Sequence, residues 1–212
     1  MPPQTPAGRA PAVPTWTNRA QHNMRALLQA CPTKNTPVYG LIDTAVDDSL
    51  YAQLMQEPPD SQVTCLFDRD AAIRYRNVAP YLMVLNLHSP LAATWLDLAW
   101  RRHWGVWLTS GQPLGQIKAH LKKFLFVKTA TSGKAYFRYY DPRVMQQIMP
   151  IMDFEQRGSF FGLDHKPMPD AFFTATQQAH QEPILQRYQP SQNRLMRWAN
   201  VSGFDTDTWP WQ

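Results

Sequence analysis

The run Tyr81-Leu-Met-Val-Leu85, followed by Asn86-Leu-His-Ser-Pro90 and Leu91-Ala-Ala-Thr-Trp-Leu-Asp-Leu-Ala99, decides the fold class. Five consecutive apolar residues behind Pro80 are too few for a core helix and read as a strand covered on both faces. Ser89 then stands at an N-cap, and Pro90 takes the first helical position, where a missing N–H costs nothing. Leu91, Trp95, Leu98 and Ala99 recur at helical spacing behind it. A strand covered on both faces that feeds a capped helix is the unit of a sheet layered with helices.

The same pattern extends upstream. Ala20, Met24, Leu27 and Leu28 mark a helix from Thr17, its N-cap, to about Ala30, stopped by Pro32. Val38-Tyr-Gly-Leu-Ile42, ending at Asp43 and Thr44, is a strand, and Asp47-Asp48 opens a helix carrying Leu50, Tyr51, Leu54 and Met55. Val63-Thr-Cys-Leu-Phe67 is a further strand. Downstream come a strand at Trp104–Leu108 and a helix striped by Leu114, Ile117, Leu121 and Phe124, whose Lys118, Lys122 and Lys123 read as a solvated face. Phe124–Lys128 and Lys134–Tyr140 flank Thr131-Ser-Gly133 as an antiparallel hairpin. Asp141-Pro142 repeats the cap-plus-proline device before Val144, Met145, Ile148 and Met149, and a short helix over Phe154–Phe161 ends at Gly162.

The expected architecture is therefore α/β or α+β, a mixed β-sheet flanked by helices with a smaller helical C-terminal part. Residues 1–16 read as a disordered tail holding five of the nineteen prolines, 17–162 as the main domain, and 163–212 as a helical or irregular extension. In that extension one more helix is expected between Ile184 and Trp198, broken at Pro190, ahead of a tail bearing Trp209 and Trp211.

Composition narrows the function classes. With 212 residues and 44% hydrophobic content the chain can bury a sizeable core. Arg9 is the only charged side chain in the Pro-rich tail, no secretory apolar run follows it, and no stretch approaches the roughly 20 residues of a membrane span. A soluble, cytoplasmic protein with no membrane partner is expected. Cys31 and Cys65 show no CxxC spacing and read as free thiols, Cys65 buried. The net charge of +5 invites a nucleic-acid reading, but the basic residues are scattered pairs with acids between them and no zinc-finger or RNA-binding signature, so no nucleic-acid partner is expected.

Chemistry-bearing motifs are sparse. The six histidines, His22, His88, His103, His120, His165 and His180, show no metal-ligand spacing, so neither metal nor cofactor is expected. There is no GxSxG elbow, P-loop or GxGxxG turn. Asp43, Asp68 and Asp141 each follow an apolar strand, where open sheets place their ligands, and they are the best enzymatic constellation; the same residues also fit plain caps and turns. Phe137-Arg-Tyr-Tyr-Asp-Pro-Arg143 turns sharply from a strand into a capped helix and exposes guanidiniums and aromatics at a rigid edge. Arg138, Tyr139, Asp141, Arg143 and Trp104 are thus candidate partner-binding residues. The alternative is an internal ion pair from Arg138 or Arg143 to Asp141 or Asp43.

Six motifs in order, Tyr39-Gly-Leu-Ile-Asp43, Cys65-Leu-Phe-Asp68, Ala79-Pro-Tyr-Leu82, Trp104-Gly-Val-Trp-Leu-Thr-Ser110, Leu121-Lys-Lys-Phe124 and Phe137-Arg-Tyr-Tyr-Asp-Pro-Arg-Val144, resemble the effector-adaptor domain of bacterial type VI secretion over residues 37–162. The resemblance implies a non-catalytic adaptor or chaperone without cofactor. Its implied partners are a cognate secreted effector and the spike protein of the VgrG type. Competing expectations are an enzyme of unrecognised class using the three aspartates, and an immunity or toxin component. The Pro-rich start and the Gln-rich region after about residue 165 lie outside the shared part.

Overall fold

Successive residues of a strand point to opposite sides of a sheet, and here both sides are apolar. The computed structural model describes residues 16–32, 36–97, 99–129, 133–163, 168–176, 184–190 and 196–200. Along β1 (Val38–Asp43), Val38 and Ile42 enter one core while Tyr39 and Leu41 enter the other. In β3 (Pro80–Val84) Tyr81 and Met83 part from Leu82 in the same way, and in β4 (Gly105–Thr109) Trp107 parts from Val106 and Leu108.

The first core lies under α1 (Asn18–Ala30), α2 (Leu50–Leu54) and α4 (Pro90–Asp97). Here Trp95 of α4 stacks on Trp107 with ring centroids 5.0 Å apart. Gly40 makes room for it, since a Cβ there would stand 2.5 Å from the Trp95 ring. The second core lies under α5 (Leu114–Leu121), α6 (Pro142–Ile148) and α7 (Phe154–Phe160). Helices thus cover the sheet on both faces, as the apolar strands require.

The caps behave as the sequence expects. Thr17 accepts the Ala20 N–H at 3.1 Å, Ser89 the Ala92 N–H at 2.9 Å and Asp141 the Arg143 N–H at 2.9 Å. Trp16, expected in the tail, is already tied down by its indole N–H donating to the Leu87 carbonyl at 2.8 Å. The remainder of the Pro-rich tail, Leu98, the Thr131-Ser132 turn and the Trp-ended tail fall outside the described residues.

The strand order, with β2 (Thr64–Cys65), β7 (Ala171–Thr176), β8 (Ile184–Pro190) and β9 (Met196–Asn200), is β2-β3-β1-β4-β7-β8-β9. Every pairing is antiparallel, which corrects the parallel neighbours a mixed sheet would contain. The strand-helix-strand units are nevertheless real. β3 and β4 both run antiparallel to β1, so they are parallel to each other, and β1 lies between them. In the same way β1 and β2 are parallel with β3 between them. Each crossover skips one strand, a split βαβ arrangement, and the inserted strand makes every adjacent pair antiparallel.

The C-terminal helix expected over Ile184–Trp198 is not formed; β8 and β9 occupy that region and extend the sheet from β7. The extension is therefore part of the same layer rather than a helical appendage. Leu185 enters the first core and Tyr188, of opposite parity, the second, a two-faced strand pattern hidden among glutamines.

His120 ties α5 to α7. Its Nε2–H donates to the Phe160 carbonyl at 2.8 Å, and its ring packs on Phe124 at 5.1 Å. Burial holds its pKa below the usual 6.5, with Lys123 adding to the drop and the Phe160 bond opposing it. The unfolded chain then takes up the proton first, so stability is fully present above the unfolded value of about 6.5 and is lost as pH falls below it. The urea midpoint is expected to be lower at pH 5.5 than at pH 7.5, with a shallower decline in His120→Gln; equal slopes would remove His120 as the cause.

Candidate functional site

The end of β1 and the start of α6 are joined by charge. Asp43, fully buried, accepts the Ala45 N–H at 3.0 Å on one oxygen and pairs with the Arg138 guanidinium through the other. Its own N–H donates to the Trp104 carbonyl at 2.7 Å. Arg138 also stands 3.7 Å from Asp141, which caps α6 and takes a two-point grip from Arg143, Nε at 3.0 Å and Nη2 at 2.7 Å. Burial would raise the Asp141 pKa, but the Arg143 bonds outweigh it and hold the carboxyl below its usual range. Burial likewise opposes the charge of Arg138, and Asp43 more than restores it.

Both arginine side chains keep part of their surface in solvent, 40% for Arg138 and 55% for Arg143. The internal ion pair and an accessible charged edge therefore coexist in the same residues. Two of the candidates are not at the surface. Tyr139 is buried among Tyr140 and Phe160 and donates its hydroxyl to the Leu121 carbonyl at 2.9 Å, and Trp104 is buried in the first core. A partner can meet neither directly.

The three aspartates do not form one constellation. Asp43 and Asp141 share Arg138, whereas Asp68, at the start of α3 (Arg69–Arg74), is held by Lys118 at 3.0 Å and Lys122 at 2.7 Å. Those two bonds pull its pKa down to about 2. Lys118 and Lys122 thus clamp a carboxylate rather than form a merely solvated face. Among the described residues no group of three His, Cys, Asp or Glu side chains is placed to hold a metal ion, and no helix is long and apolar enough to cross a membrane. Both cysteines are free; Cys65 is only half-buried, and burial raises its pKa.

Two surface features had no sequence forecast. The hairpin of β5 (Phe126–Thr129) and β6 (Gly133–Tyr136) pairs Phe126 with Tyr136, their rings 5.3 Å apart. Tyr136 continues to Phe67 at 6.1 Å and Phe67 to Tyr75 at 6.2 Å, while Lys134 lies 4.3 Å over the Phe126 ring. Phe126, Tyr136 and Tyr75 are all exposed. The Tyr136 hydroxyl meets that of Tyr140 at 2.7 Å, which links the aromatic row to the charged edge through the 137–141 turn. The signal was present as Phe126 and Tyr136 symmetric about the turn, but Phe67 and Tyr75 join only through tertiary packing.

The second feature is an apolar groove of about 680 Å³ between the hairpin and the helical layer. Phe124, Val127, Phe137, Ile148, Ile151 and Phe160 supply its apolar walls, with Lys128 and Glu155 also lining it. No residue of the aromatic row lines it, so the two surfaces are distinct.

A family model described as a domain of unknown function, DUF4123, matches residues 38–159, which run from the first residue of β1 into α7. This chain belongs to the DUF4123 family. No curated protein and no solved structure matches it. The DUF4123 segment contains the charged edge, the aromatic row and all of the groove's lining but Phe160, while α1 and β7–β9 fall outside it. Those outer elements still belong to the sheet's packing, since β7 pairs with β4 and Asn23 of α1 donates to the Leu96 carbonyl at 2.7 Å.

Proposed function

We propose that this DUF4123 protein is a non-catalytic adaptor of type VI secretion, binding a cognate toxic effector in the cytoplasm of the producing cell and loading it onto the VgrG-type spike. The six ordered motifs support the reading, and one structural observation carries it. A courier needs two docking surfaces, and the β5–β6 hairpin separates two that share no residue, the aromatic row and the apolar groove. Exposed Tyr and Phe beside Arg138 and Arg143 have the composition of interface hot spots.

The test is co-expression of the tagged chain with the spike and toxin encoded beside it, followed by pulldown and sizing. A stoichiometric complex with both is expected. Tyr75→Ala and Phe126→Ala, at exposed positions, should weaken capture of one partner about tenfold or more without moving the melting curve. A clean monomer that ignores both partners would defeat the adaptor reading and return attention to Asp43, Asp68 and Asp141. Protection of a susceptible cell without spike binding would instead favour an immunity component.

A further inference from the structure

The groove reads as an edge, not a face. Val127 and Lys128 are consecutive residues of β5 and project to opposite sides of the strand, yet both line the groove. A hollow on one face of the hairpin would touch alternate residues only. Of the returning strand only Phe137 lines it, just past the end of β6, where its N–H donates to the Leu125 carbonyl at 2.8 Å. The groove therefore reaches the side of β5 turned away from β6, at Val127 and Lys128. β5 pairs with β6 alone, and among the described residues no other backbone hydrogen bond reaches Phe126–Thr129. A two-stranded hairpin with an open edge is the least self-sufficient form of sheet, and such edges are natural templates for another strand.

Charge limits what can add there. Lys128 lines the groove, and the exposed Lys123 immediately precedes Phe124 of its wall. Neither lysine has a carboxylate partner in ion-pair contact among the described residues, in contrast to Lys118 and Lys122. Glu155 is the one carboxylate in the lining. The opposite wall is apolar and open, with Ile151 75% exposed.

We infer that the groove takes an extended segment of a partner protein, apolar residues alternating with acidic ones, as a third strand on β5. The segment's main chain pairs with the open edge, one row of side chains fills the space against Ile148, Ile151 and Phe160, and its carboxylates meet Lys123 and Lys128. The inference rests on the adaptor reading for the partner's identity, but not for the binding chemistry.

Two arms separate those failures. In the first, the full chain is titrated with a capped, labelled peptide of alternating glutamate with valine or phenylalanine, beside the same peptide with lysine for glutamate. Saturable binding of the acidic peptide is expected, with slowed amide exchange at Phe126–Lys128 and at least about tenfold weaker binding to Ile151→Asp and to Lys128→Glu. Ile151 and Lys128 are exposed, and unchanged melting curves check that both variants fold. No saturable binding, equal binding of the lysine peptide, or binding without protection on β5 each overturns the inference. In the second arm, the same variants are tested for capture of the toxin and spike. Capture by the wild type that neither variant weakens also overturns the groove assignment and leaves the adaptor reading standing, whereas peptide binding with no capture by the wild type defeats the adaptor reading alone.

Discussion

Gly105→Ala is expected to destabilise the chain by about 3 kcal/mol or more, at the upper end of the usual cost of overpacking. A Cβ at Gly105 would lie 2.0 Å from the Leu41 carbonyl oxygen, 2.9 Å from its carbon and 3.0 Å from the Ile42 Cα. All three are backbone atoms of β1, which is paired on one side with β3 and on the other with β4. Neither neighbour lets β1 retreat, so relief must come from breaking the register at Ile42 and Gly105. One residue away in each strand, the Asp43 N–H donates to the Trp104 carbonyl, so the clash would also disturb the charged edge. For a chain of this size the melting temperature should fall by roughly 6–12 °C. Gly115, inside α5 with nothing within 4 Å of its would-be Cβ, is the control. Gly115→Ala should instead raise stability by about 0.5–1 kcal/mol. A melting temperature of Gly105→Ala within about 2 °C of the parent would refute the close approach of β4 to β1.

Local devices were legible in the sequence because their physics is local. Thr17, Ser89-Pro90 and Asp141-Pro142 each announce a helix start through hydrogen bonds made within three residues, and each is found there. The apolar runs at β1 and β3 declared burial on both faces, but the same reading of Val63–Phe67 fails, because β2 is a two-residue edge strand whose residues are only half-buried. Strand direction was not legible, because a crossover helix looks the same whether it joins adjacent strands or skips one. β1 lies between β3 and β4 through contacts more than twenty residues apart in sequence, which no local pattern records. β8 escaped for another reason. Its Gln186 and Arg187 interrupt the apolar alternation, and Arg187 spends its guanidinium on the Ala30 carbonyl at 2.7 Å.

The candidate site was legible in the same proportion. Asp141 and the two arginines were readable from one short turn, and Asp43 was named as a possible partner of either arginine. Tyr139 and Trp104 were misplaced because an aromatic beside an arginine looks the same in sequence whether it packs inward or outward. Only the turn after β6, the bond of its hydroxyl to the Leu121 carbonyl and its packing on Phe160 of α7 decide that Tyr139 faces the core. The aromatic row and the groove needed the hairpin to be folded against α3 and α7 before they existed at all.

Arg138→Ala should lower stability by about 2–3 kcal/mol, less than the 3–5 of a wholly buried pair because its side chain is 40% exposed and water can follow it in. What remains is an Asp43 carboxylate with no exposed surface, no ion-pair partner in contact and only the more distant charge of Arg143. Asp43→Asn should cost less, about 1–2 kcal/mol, because Arg138 can turn its charge to solvent while Asn still accepts the Ala45 N–H. The double variant should then be more stable than the sum of the two single losses predicts, by about 1 kcal/mol or more. Urea denaturation of the four proteins at one pH measures that coupling, and strictly additive losses would mean that the pair does not staple β1 to the 138–141 turn. The cycle also sets how partner capture by Arg138 must be judged. Arg138→Ala alone would confuse a lost contact with a loosened edge. In the Asp43→Asn background the charge that Arg138 chiefly balances is gone, and Asp141 keeps its two-point grip from Arg143, so a further fall in capture on removing Arg138 with an unmoved melting curve belongs to its solvent-exposed surface.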